Sequence, residues 1–412
     1  MIEIDVECYF HPVGQGLFSS GVIKFDGGRY RDEFQWVYDC GTTSSQRLLR
    51  AALSKFQRLR RNTPLDLVVI SHFDADHISG LVKLLNEVGT DILMLPWAPL
   101  WHRLAIGCAQ GLTPDDPDFE FYIDPVQYLN DQAGDGFRRI VFIPFSVGEG
   151  PPEPEDETGP TEEGPDGRPK LQLDFEKEFE SEDSHELMQY ERNAGMYREV
   201  IMMRKGSSAR FLGLWEFVPY NDPATQPKNV PNFIQNVNDL REHLLNTSES
   251  ERKHALYKLK EFYRRSFPKS QSNDLSLFIY SGPIGVWNTQ IHPWHCDYGS
   301  ENGRKASIIY TGDGNLASQQ KWQNFRKYLG DQRAISPSIF QVPHHGSRKN
   351  WFDGLADQIE PHSSIFSSDP SHRSFGHPHR EVLRDFWPHQ AVQVDKESGF
   401  RSRAWLKKYR HM

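Results

Sequence analysis

Residues 71–80 read Ser-His-Phe-Asp-Ala-Asp-His-Ile-Ser-Gly and directly follow the apolar run Leu-Asp-Leu-Val-Val-Ile at 65–70. Four side chains of metal-binding type fall within this short stretch: His72, Asp74, Asp76 and His77. The apolar run is typical of a buried strand, and a helical pattern follows at 78–88. A strand that ends in such a turn can direct several ligands at one point with little loss of chain entropy. The pattern therefore predicts a metal site rather than a solvated polar loop.

The composition is that of a globular protein with a large core. The chain has 412 residues, of which 37% are hydrophobic and 12% aromatic. No apolar run approaches the roughly 18–20 residues needed to span a bilayer, and the first residues lack the pattern of a secretory signal. The four cysteines are far apart and form no CxxC pair: Cys8, Cys40, Cys108 and Cys296. We therefore expect buried reduced thiols, a cytoplasmic location and no membrane partner.

The net charge of −9 is concentrated in one segment. Residues 149–186 hold 15 of the 56 acidic residues and three of the 47 basic ones, which leaves 41 acidic and 44 basic residues, a net of +3, elsewhere. Basic clusters lie at 58–61, 348–349 and 401–410. Such clusters suit a polyanionic substrate. Each cluster taken alone is also typical of ordinary solvated surface.

Strand and helix patterns alternate in both halves of the chain and predict an α/β layered fold. In the N-terminal half, residues 1–146, we expect strands at 3–10, 17–25, 34–38, 65–70 and 92–96 and helices at 44–58 and 78–88. In the C-terminal half, residues 271–412, we expect strands at 275–280, 307–310, 338–342, 363–366 and 391–394 and helices at 317–329 and 380–386.

Two predicted insertions separate these halves. Residues 147–186 are acidic and rich in Pro and Gly, which predicts a disordered loop because such a segment buries too little apolar area to order itself. Residues 187–270 form the second insertion and include an amphipathic helical pattern at 248–267. The insertions could serve as docking surfaces for a protein partner, or they are plain surface additions to the fold.

Three further motifs follow predicted strands downstream. Residues 307–313 run into Thr-Gly-Asp313, whose carboxylate could bridge two metals held by the first cluster. Residues 339–347 end in His344-His345-Gly-Ser, and residues 374–379 read Ser-Phe-Gly-His-Pro-His. One isolated histidine is more often structural than a ligand. Two His-rich turns at strand ends, together with the first cluster, predict a dinuclear site.

Together these motifs resemble the metallo-β-lactamase-fold superfamily and, within it, the soluble catalytic domain of the DNA-internalisation competence protein ComEC. Further matching segments are Val-Gly-Gln-Gly at 13–16, Tyr-Asp-Cys-Gly at 38–41, Asn-Asp-Leu-Ser-Leu at 273–277 and a final strand candidate at 394–399. The resemblance covers nearly the whole chain apart from the two insertions. It implies a four-layer αββα sandwich, with two facing sheets, helices outside and the metals at one edge.

The resemblance also implies how the metals are held. His72 and Asp74 would bind one metal, and Asp76 and His77 would bind the other. Asp313 would bridge the two.

The remaining motif residues have implied roles around the metals. His377 would complete the second site, and His345 or His344 would face the scissile phosphate. Asp39 and His379 would orient the ligands from behind, a role expected to control ligand geometry.

One departure from the superfamily concerns a further histidine between the first cluster and the bridging aspartate. The equivalent strand end, at 215–219, has none. One metal is therefore expected to be weakly held, or to be completed by His344 or His345; the other histidines considered as substitutes are His102, His292 and His295. Asp74 stands where many relatives have histidine and favours harder metals, so two divalent ions of Zn²⁺ or Mn²⁺ fit the motifs.

The leading hypothesis is a metal-dependent phosphodiesterase that hydrolyses nucleic acid, DNA above all, in a bacterial multi-gene system such as phage defence. Asp76 or Asp313 would steer the proton of a metal-activated water, and His345 would stabilise the phosphate. One alternative is a hydrolase of a small phosphodiester, ester or amide. The other is a non-enzymatic partner subunit whose metals are structural.

Overall fold

The computed structural model describes residues 1–25, 33–60, 63–100, 119–153, 170–176, 198–222, 276–293, 306–372 and 374–408, with isolated positions at 103–104, 107, 116, 187–188, 190–191, 251, 254–255 and 257–258. The strands within these ranges are β1 (Ile2–Phe10), β2 (Phe18–Phe25), β3 (Glu33–Cys40), β4 (Leu65–Val69), β5 (Thr90–Pro96), β6 (Phe137–Ile143), β7 (Leu171–Gln172), β8 (Glu199–Met202), β9 (Ala209–Phe211), β10 (Trp215–Asn221), β11 (Leu277–Pro283), β12 (Asn288–Pro293), β13 (Ile308–Tyr310), β14 (Ile339–Gln341), β15 (Ser363–Ser367), β16 (Ala391–Val394) and β17 (Phe400–Lys408).

The described helices alternate with these strands. They are α1 (Gln46–Leu59), α2 (Ala75–Ile78), α3 (Leu81–Glu87), α4 (Phe119–Ile123), α5 (Pro125–Ala133), α6 (Gln319–Leu329), α7 (Asp331–Ala334), α8 (Leu355–Ile359) and α9 (Arg380–Phe386), with 3₁₀ turns at Pro343–Gly346 and Trp387–His389.

The strands form two mixed sheets. One sheet has the order β12-β17-β1-β2-β3-β4-β5-β6-β8, and the other has the order β16-β15-β14-β13-β11-β10-β9-β7. Strands β3 to β6 pair in parallel, as do strands β13 to β16. The carboxyl ends of each parallel set therefore lie at one edge of its sheet, which is where the ligand motifs follow the strands.

Three apolar layers separate four layers of secondary structure. Leu67 of β4 is buried between the two sheets, whereas the next residue, Val68, is buried under the helices on the outer face. Successive side chains of a strand point to opposite faces, so a strand covered on both faces reads as an uninterrupted apolar run. Trp322 of α6 and Phe340 of β14 belong to the third layer, outside the second sheet.

The predicted αββα sandwich is confirmed, and the predicted strands match observed strands to within a few residues, except the final strand candidate at 394–399, which falls on the turn between β16 and β17. The helix predicted at 78–88 is interrupted, because α2 ends at Ile78 and α3 begins at Leu81. Gly80 lies between them, and a Cβ there would lie 2.8 Å from the Cys40 sulfur. Strands β6, β12 and β17 are among those that were not predicted.

Several cations of the C-terminal basic cluster form ion pairs with a neighbouring strand. Strand β17 runs antiparallel to β1, and its cations face the acidic residues of that strand. Arg403 bonds Asp5 at 2.6 Å, Lys407 lies 3.1 Å from Glu3, and Arg401 pairs with Glu7. These charges therefore stabilise the sheet, and they are not free cationic surface for a polyanion.

Several predictions fall on residues outside the described ranges. They include most of the acidic insertion at 147–186 and of the helix at 248–267, so their role in partner binding stays a prediction. His102, His295, Cys108 and Cys296 lie outside as well, while Cys8 and Cys40 are buried free thiols as expected. In the part of the chain that the structure describes, no helix combines the length and the apolar character needed to cross a bilayer.

Candidate metal centre

Asp39 fixes the start of the ligand loop. Strands β3 and β4 are parallel neighbours, so the end of β3 brings the fully buried Asp39 beside Ser71. The Asp39 carboxylate accepts the backbone N–H of Ser71 at 2.7 Å and its hydroxyl at 2.6 Å. Asp39 has a φ of 56°, a left-handed conformation that side chains other than glycine rarely adopt. Its contacts with the loop offset that strain.

The same two residues orient the first histidines. Nδ1 of His77 lies 2.7 Å from the Asp39 carboxylate, and Nδ1 of His72 lies 2.9 Å from the Ser71 hydroxyl. When one ring nitrogen is engaged in this way, the other nitrogen is directed elsewhere as a potential ligand. In both rings Nε2 therefore faces Asp313.

A tight turn after β13 delivers Asp313 from the second sheet. Gly312, with a φ of +52°, lies so close to the ligand loop that a Cβ would be 2.6 Å from the Cβ of Ser71. The side-chain oxygen of Gln341 accepts the backbone N–H groups of Thr311 and Gly312 at 2.8 and 2.6 Å. Only glycine permits this approach of the two sheets, and Gln341 holds the turn in place.

The turn after β14 places two adjacent histidines on different sides of Asp313. His344 and His345 both have left-handed backbones, with φ of 47° and 58°. His345 donates Nδ1–H to the carbonyl of Ser367, which leaves its Nε2 for the centre. The backbone N–H of His344 bonds the Gly312 carbonyl at 3.0 Å, so this turn is fixed directly to the Asp313 turn.

One oxygen of Asp313 faces a compact set of ligands. Its Oδ1 lies 3.0 Å from Nε2 of His77 and 3.5 Å from Nε2 of His345. Nε2 of His345 also lies 3.0 Å from Oδ2 of Asp76. One ligand atom from each of these four residues lies within 4.8 Å of the others, so a single metal ion could contact all four. We call this set the Oδ1 side.

The second oxygen of Asp313 faces a looser set. Its Oδ2 lies 3.5 Å from Nδ1 of His344 and 3.8 Å from Nε2 of His72. Nε2 of His72 lies 3.8 Å from Oδ2 of Asp74. We call Asp74, His72 and His344 the Oδ2 side. The His344 side chain is 25% exposed, whereas that of His345 is 3% exposed, so this side is the more open one.

The polar atoms of the centre fit a metal. Five buried atoms in and beside it lack a hydrogen-bond partner: Nε2 of His72, Nε2 of His77, Oδ1 of Asp313, Nδ1 of His344 and Nδ1 of His377. Unpartnered buried polar atoms are costly. Lone pairs that converge on one point in this way are stabilised by a cation.

The charges of the centre have opposite effects on its histidines. Burial lowers the pKa of His77, but the carboxylates of Asp313, Asp39 and Asp76 outweigh burial and raise that pKa well above its usual range. Burial and the neighbouring His77 lower the pKa of His72 to about 3, so this ring is a neutral ligand. The carboxylate field that favours a proton on His77 also attracts a metal cation.

The two histidines of the last motif lie beside the ligands. The rings of His377 and His345 are stacked with centroids 6.2 Å apart, and the His377 and His344 centroids are 5.7 Å apart. His377 is outside the four-residue group. The backbone N–H of His379 donates to the Gly346 carbonyl at 3.0 Å, and its Nδ1 accepts the N–H of Arg348 at 3.3 Å. His379 thus supports the His344–His345 turn.

Sequence reasoning missed three residues that build the centre: Ser71, Ser276 and Gln341. Ser276 accepts the backbone N–H of Asp313 at 3.2 Å. The signal for Gln341 was a polar residue at the end of the apolar strand Ile339–Gln341, where its side chain is buried. No signal distinguished Ser276 from the other serines of the chain.

A four-layer αββα sandwich with histidines and aspartates around one shared carboxylate at its strand ends has the architecture of a metallohydrolase. Residues 29–166, about a third of the chain, match the metallo-beta-lactamase superfamily. Members of this superfamily are mostly hydrolases and typically bind divalent metals, often zinc. The match includes Asp39 and the ligand loop but ends before Asp313. No curated protein matches the chain.

Proposed function

We propose that this protein is a metal-dependent phosphodiesterase that hydrolyses nucleic acid, and that its main substrate is DNA. The observation that carries the proposal is the position of Asp313, whose two oxygens face two separate sets of histidine and aspartate ligands. A carboxylate shared in this way suits two divalent ions, and paired ions are the usual device for displacement at a phosphodiester.

The roles that we propose differ from those implied by the family resemblance for three residues: His345, His344 and His377. His345 completes the Oδ1 side with Asp76 and His77, since its Nε2 lies within 3.5 Å of both Asp76 and Asp313. His344 completes the Oδ2 side and replaces the histidine that the superfamily has between the first cluster and the bridging aspartate. The two sides then have three non-bridging ligands each.

His377 takes the substrate-facing role in this proposal. Burial and the charge of the neighbouring His345 lower its pKa to about 3, so the ring is neutral at physiological pH. A neutral imidazole can donate one hydrogen bond to a phosphate oxygen without first losing a proton. Its ring lies beside His344 and His345, with centroid distances of 5.7 and 6.2 Å.

Two divalent ions bound here would lower the pKa of a water and stabilise charge on the attacking and leaving oxygens. Asp76 is the group of the chain best placed to receive the proton of that water. Its pKa of about 2 reflects burial, which raises it, outweighed by His77 and His345. Asp39 keeps His77 in position throughout, through a contact that involves no substrate.

Exposed cations beside the turns support a polyanionic substrate. Arg348 and Lys349 directly follow the His344–His345 turn, and Arg380 directly follows His379. The side chain of Arg348 is 65% exposed, and its nearest acidic partner, Glu381, is 3.7 Å away in solvent. Exposed pairs of this kind are weak, so Arg348 can exchange Glu381 for a phosphate. The resemblance to the competence-protein catalytic domain points to DNA.

The test is cleavage by the purified protein of plasmid, single-stranded DNA and RNA in Mn²⁺, Mg²⁺ or Zn²⁺. We expect cleavage of at least one polymer by the wild type, and loss of that cleavage in an Asp76→Ala/His77→Ala variant. Asp353→Ala, which removes an exposed carboxylate elsewhere on the surface, is the matched control and should remain active.

Two results would contradict the proposal. Cleavage that survives the double substitution would show that the nuclease activity does not come from this centre. Turnover of bis-p-nitrophenyl phosphate without cleavage of any polymer would instead support a hydrolase of small phosphodiesters.

A further inference from the structure

An aromatic ladder leads from the protein surface to the candidate metal centre. His372 and Phe375 stack with centroids 4.9 Å apart, and Phe375 and His377 stack at 6.1 Å. His377 in turn stacks on His345 at 6.2 Å. The interplanar angles of these three pairs lie between 23° and 29°, so each ring is roughly parallel to the next one. The outer end of the ladder can therefore accept a further flat ring.

Phe375 is the exposed step of this ladder. It is 45% exposed, and its neighbours Ser374 and Gly376 are exposed as well, so part of the Phe375 side chain is open to solvent beside its contact with His372. The backbone N–H of Ser374, the residue before Phe375, donates to Nδ1 of His372 at 3.4 Å. This hydrogen bond holds the His372 ring close to Phe375. Exposed aromatic rings beside a phosphate site are a common platform for unpaired nucleobases.

Hydrogen bonds fix both ends of the loop. The Asp369 carboxylate accepts the backbone N–H and the hydroxyl of Ser371 at 2.9 and 2.6 Å, and its own N–H bonds Gln15. At the other end, His379 bonds the Gly346 carbonyl of the ligand turn. The ladder is thus held at a constant position relative to the metal ligands.

Cations flank the ladder on both sides. Lys396, whose side chain is 43% exposed, donates to the Ser371 hydroxyl at 2.7 Å. Arg348 lies at the other end of the loop, where its backbone N–H donates to Nδ1 of His379. Cationic side chains near both ends of the loop suit the phosphates of a nucleic-acid strand, and the exposed ring suits one of its bases.

We propose that Phe375 and His372 form a stacking platform that holds one unpaired base next to the scissile phosphate, which makes single-stranded nucleic acid the preferred substrate. The inference rests on the proposed function and gives it a strand preference. Bases inside a duplex are already stacked on their neighbours, so they cannot lie on this platform without being unpaired.

The first experiment measures binding of a short single-stranded DNA that carries 2-aminopurine, in the Asp76→Asn background so that the strand stays intact. Phe375→Ala should weaken binding about 5- to 150-fold, the range for loss of one base–aromatic stack. The quenching of 2-aminopurine seen with Phe375 present should also disappear. Phe375→Trp should restore both, and Trp387→Ala, which removes a 70% exposed ring elsewhere, should change neither.

The second experiment uses strands with a single abasic position moved along the sequence. At one position the abasic strand should bind the parent protein more weakly, and Phe375→Ala should add no further loss there. Equal affinity of the Phe375→Ala variant and its parent for every strand would overturn the platform while leaving the nuclease proposal intact. Failure of the wild type to cleave any nucleic acid, together with failure of the Asp76→Asn parent to bind any, would overturn both.

Discussion

The two sides of Asp313 differ in compactness although both are built from two histidine-bearing turns. On the Oδ1 side, the histidine nitrogens lie 3.0 to 3.5 Å from the carboxylate oxygens; this side comprises Asp313, His77, His345 and Asp76. On the Oδ2 side these distances are 3.5 to 3.8 Å, and His344 is partly exposed. The four ligand atoms of the Oδ1 side lie within 4.8 Å of one another and His345 is buried, whereas the Oδ2 side is more exposed to water. We therefore expect tighter metal binding on the Oδ1 side.

Removing the carboxylate shared by both sides should have the largest effect. Asp313→Asn keeps the shape of the side chain but withdraws a negative charge from each side. We expect loss of bound metal and a fall in phosphodiesterase activity of more than about 100-fold, beyond what loss of an outer hydrogen-bond partner costs. Elemental analysis and initial rates measure the two effects. Normal metal content in Asp313→Asn would show that the two sides do not share this residue.

Substituting the two adjacent histidines one at a time should affect the two metal-binding steps differently. His345→Ala should empty the compact side and weaken the tighter metal-binding step by roughly 100-fold, while His344→Ala should weaken only the looser step, by roughly 10-fold. Titration calorimetry with Zn²⁺ or Mn²⁺ resolves the two steps. If the two substitutions weaken the same step equally, the assignment of one histidine to each side is wrong.

Asp39→Asn tests how far the hydrogen bond between Asp39 and the far side of the His77 ring contributes to metal binding. The Asp39 carboxylate positions His77 through a 2.7 Å contact and reaches His72 only through Ser71, so its loss should lower metal affinity about 10- to 100-fold, with the larger loss on the Oδ1 side. Asp66→Asn is a matched control, because Asp66 accepts a backbone N–H of Gln35 at the opposite end of the same strand. Equal losses in the two variants would indicate a general weakening of the sheet.

A substitution far from both sides should change stability without changing metal binding. Burial raises the pKa of Glu7, but hydrogen bonds from Arg401 and Lys24 outweigh burial and lower that pKa to about 2. A depressed carboxyl pKa stabilises the fold above the unfolded-state value near 4.5, and this contribution is lost as the pH falls from there towards 2.

Glu7→Gln should therefore lower the free energy of unfolding by on the order of 2–3 kcal/mol at pH 7. The difference from wild type should shrink between pH 4.5 and 2, as measured by urea unfolding, with metal content unchanged at pH 7. A constant difference across this pH range would mean that packing, and not charge, accounts for the effect.

Strands β1 to β5 of the first sheet and the ligand loop were predictable because their signals are local. The run at 65–70 is apolar almost throughout since β4 is buried on both faces, and the His-Asp spacing after it is continuous in sequence. Strand β17 was missed because its outward residues are arginines and lysines, which read as a solvated cluster. Their partners Asp5 and Glu7 lie at the other end of the chain, so only the pairing of β17 with β1 explains them.

The chemical type of the centre is predictable from the sequence, since the loop 72–77, the later Asp313 and the His-rich turns all carry side chains of metal-binding type. Which oxygen of Asp313 each of the two adjacent histidines faces is seen only in the folded structure. His344 and His345 are neighbours in sequence, and their consecutive left-handed backbones direct them to different oxygens of Asp313. Such conformations depend on the Gly312 and Ser367 carbonyls of other parts of the sheet, which no local pattern around the two histidines reveals.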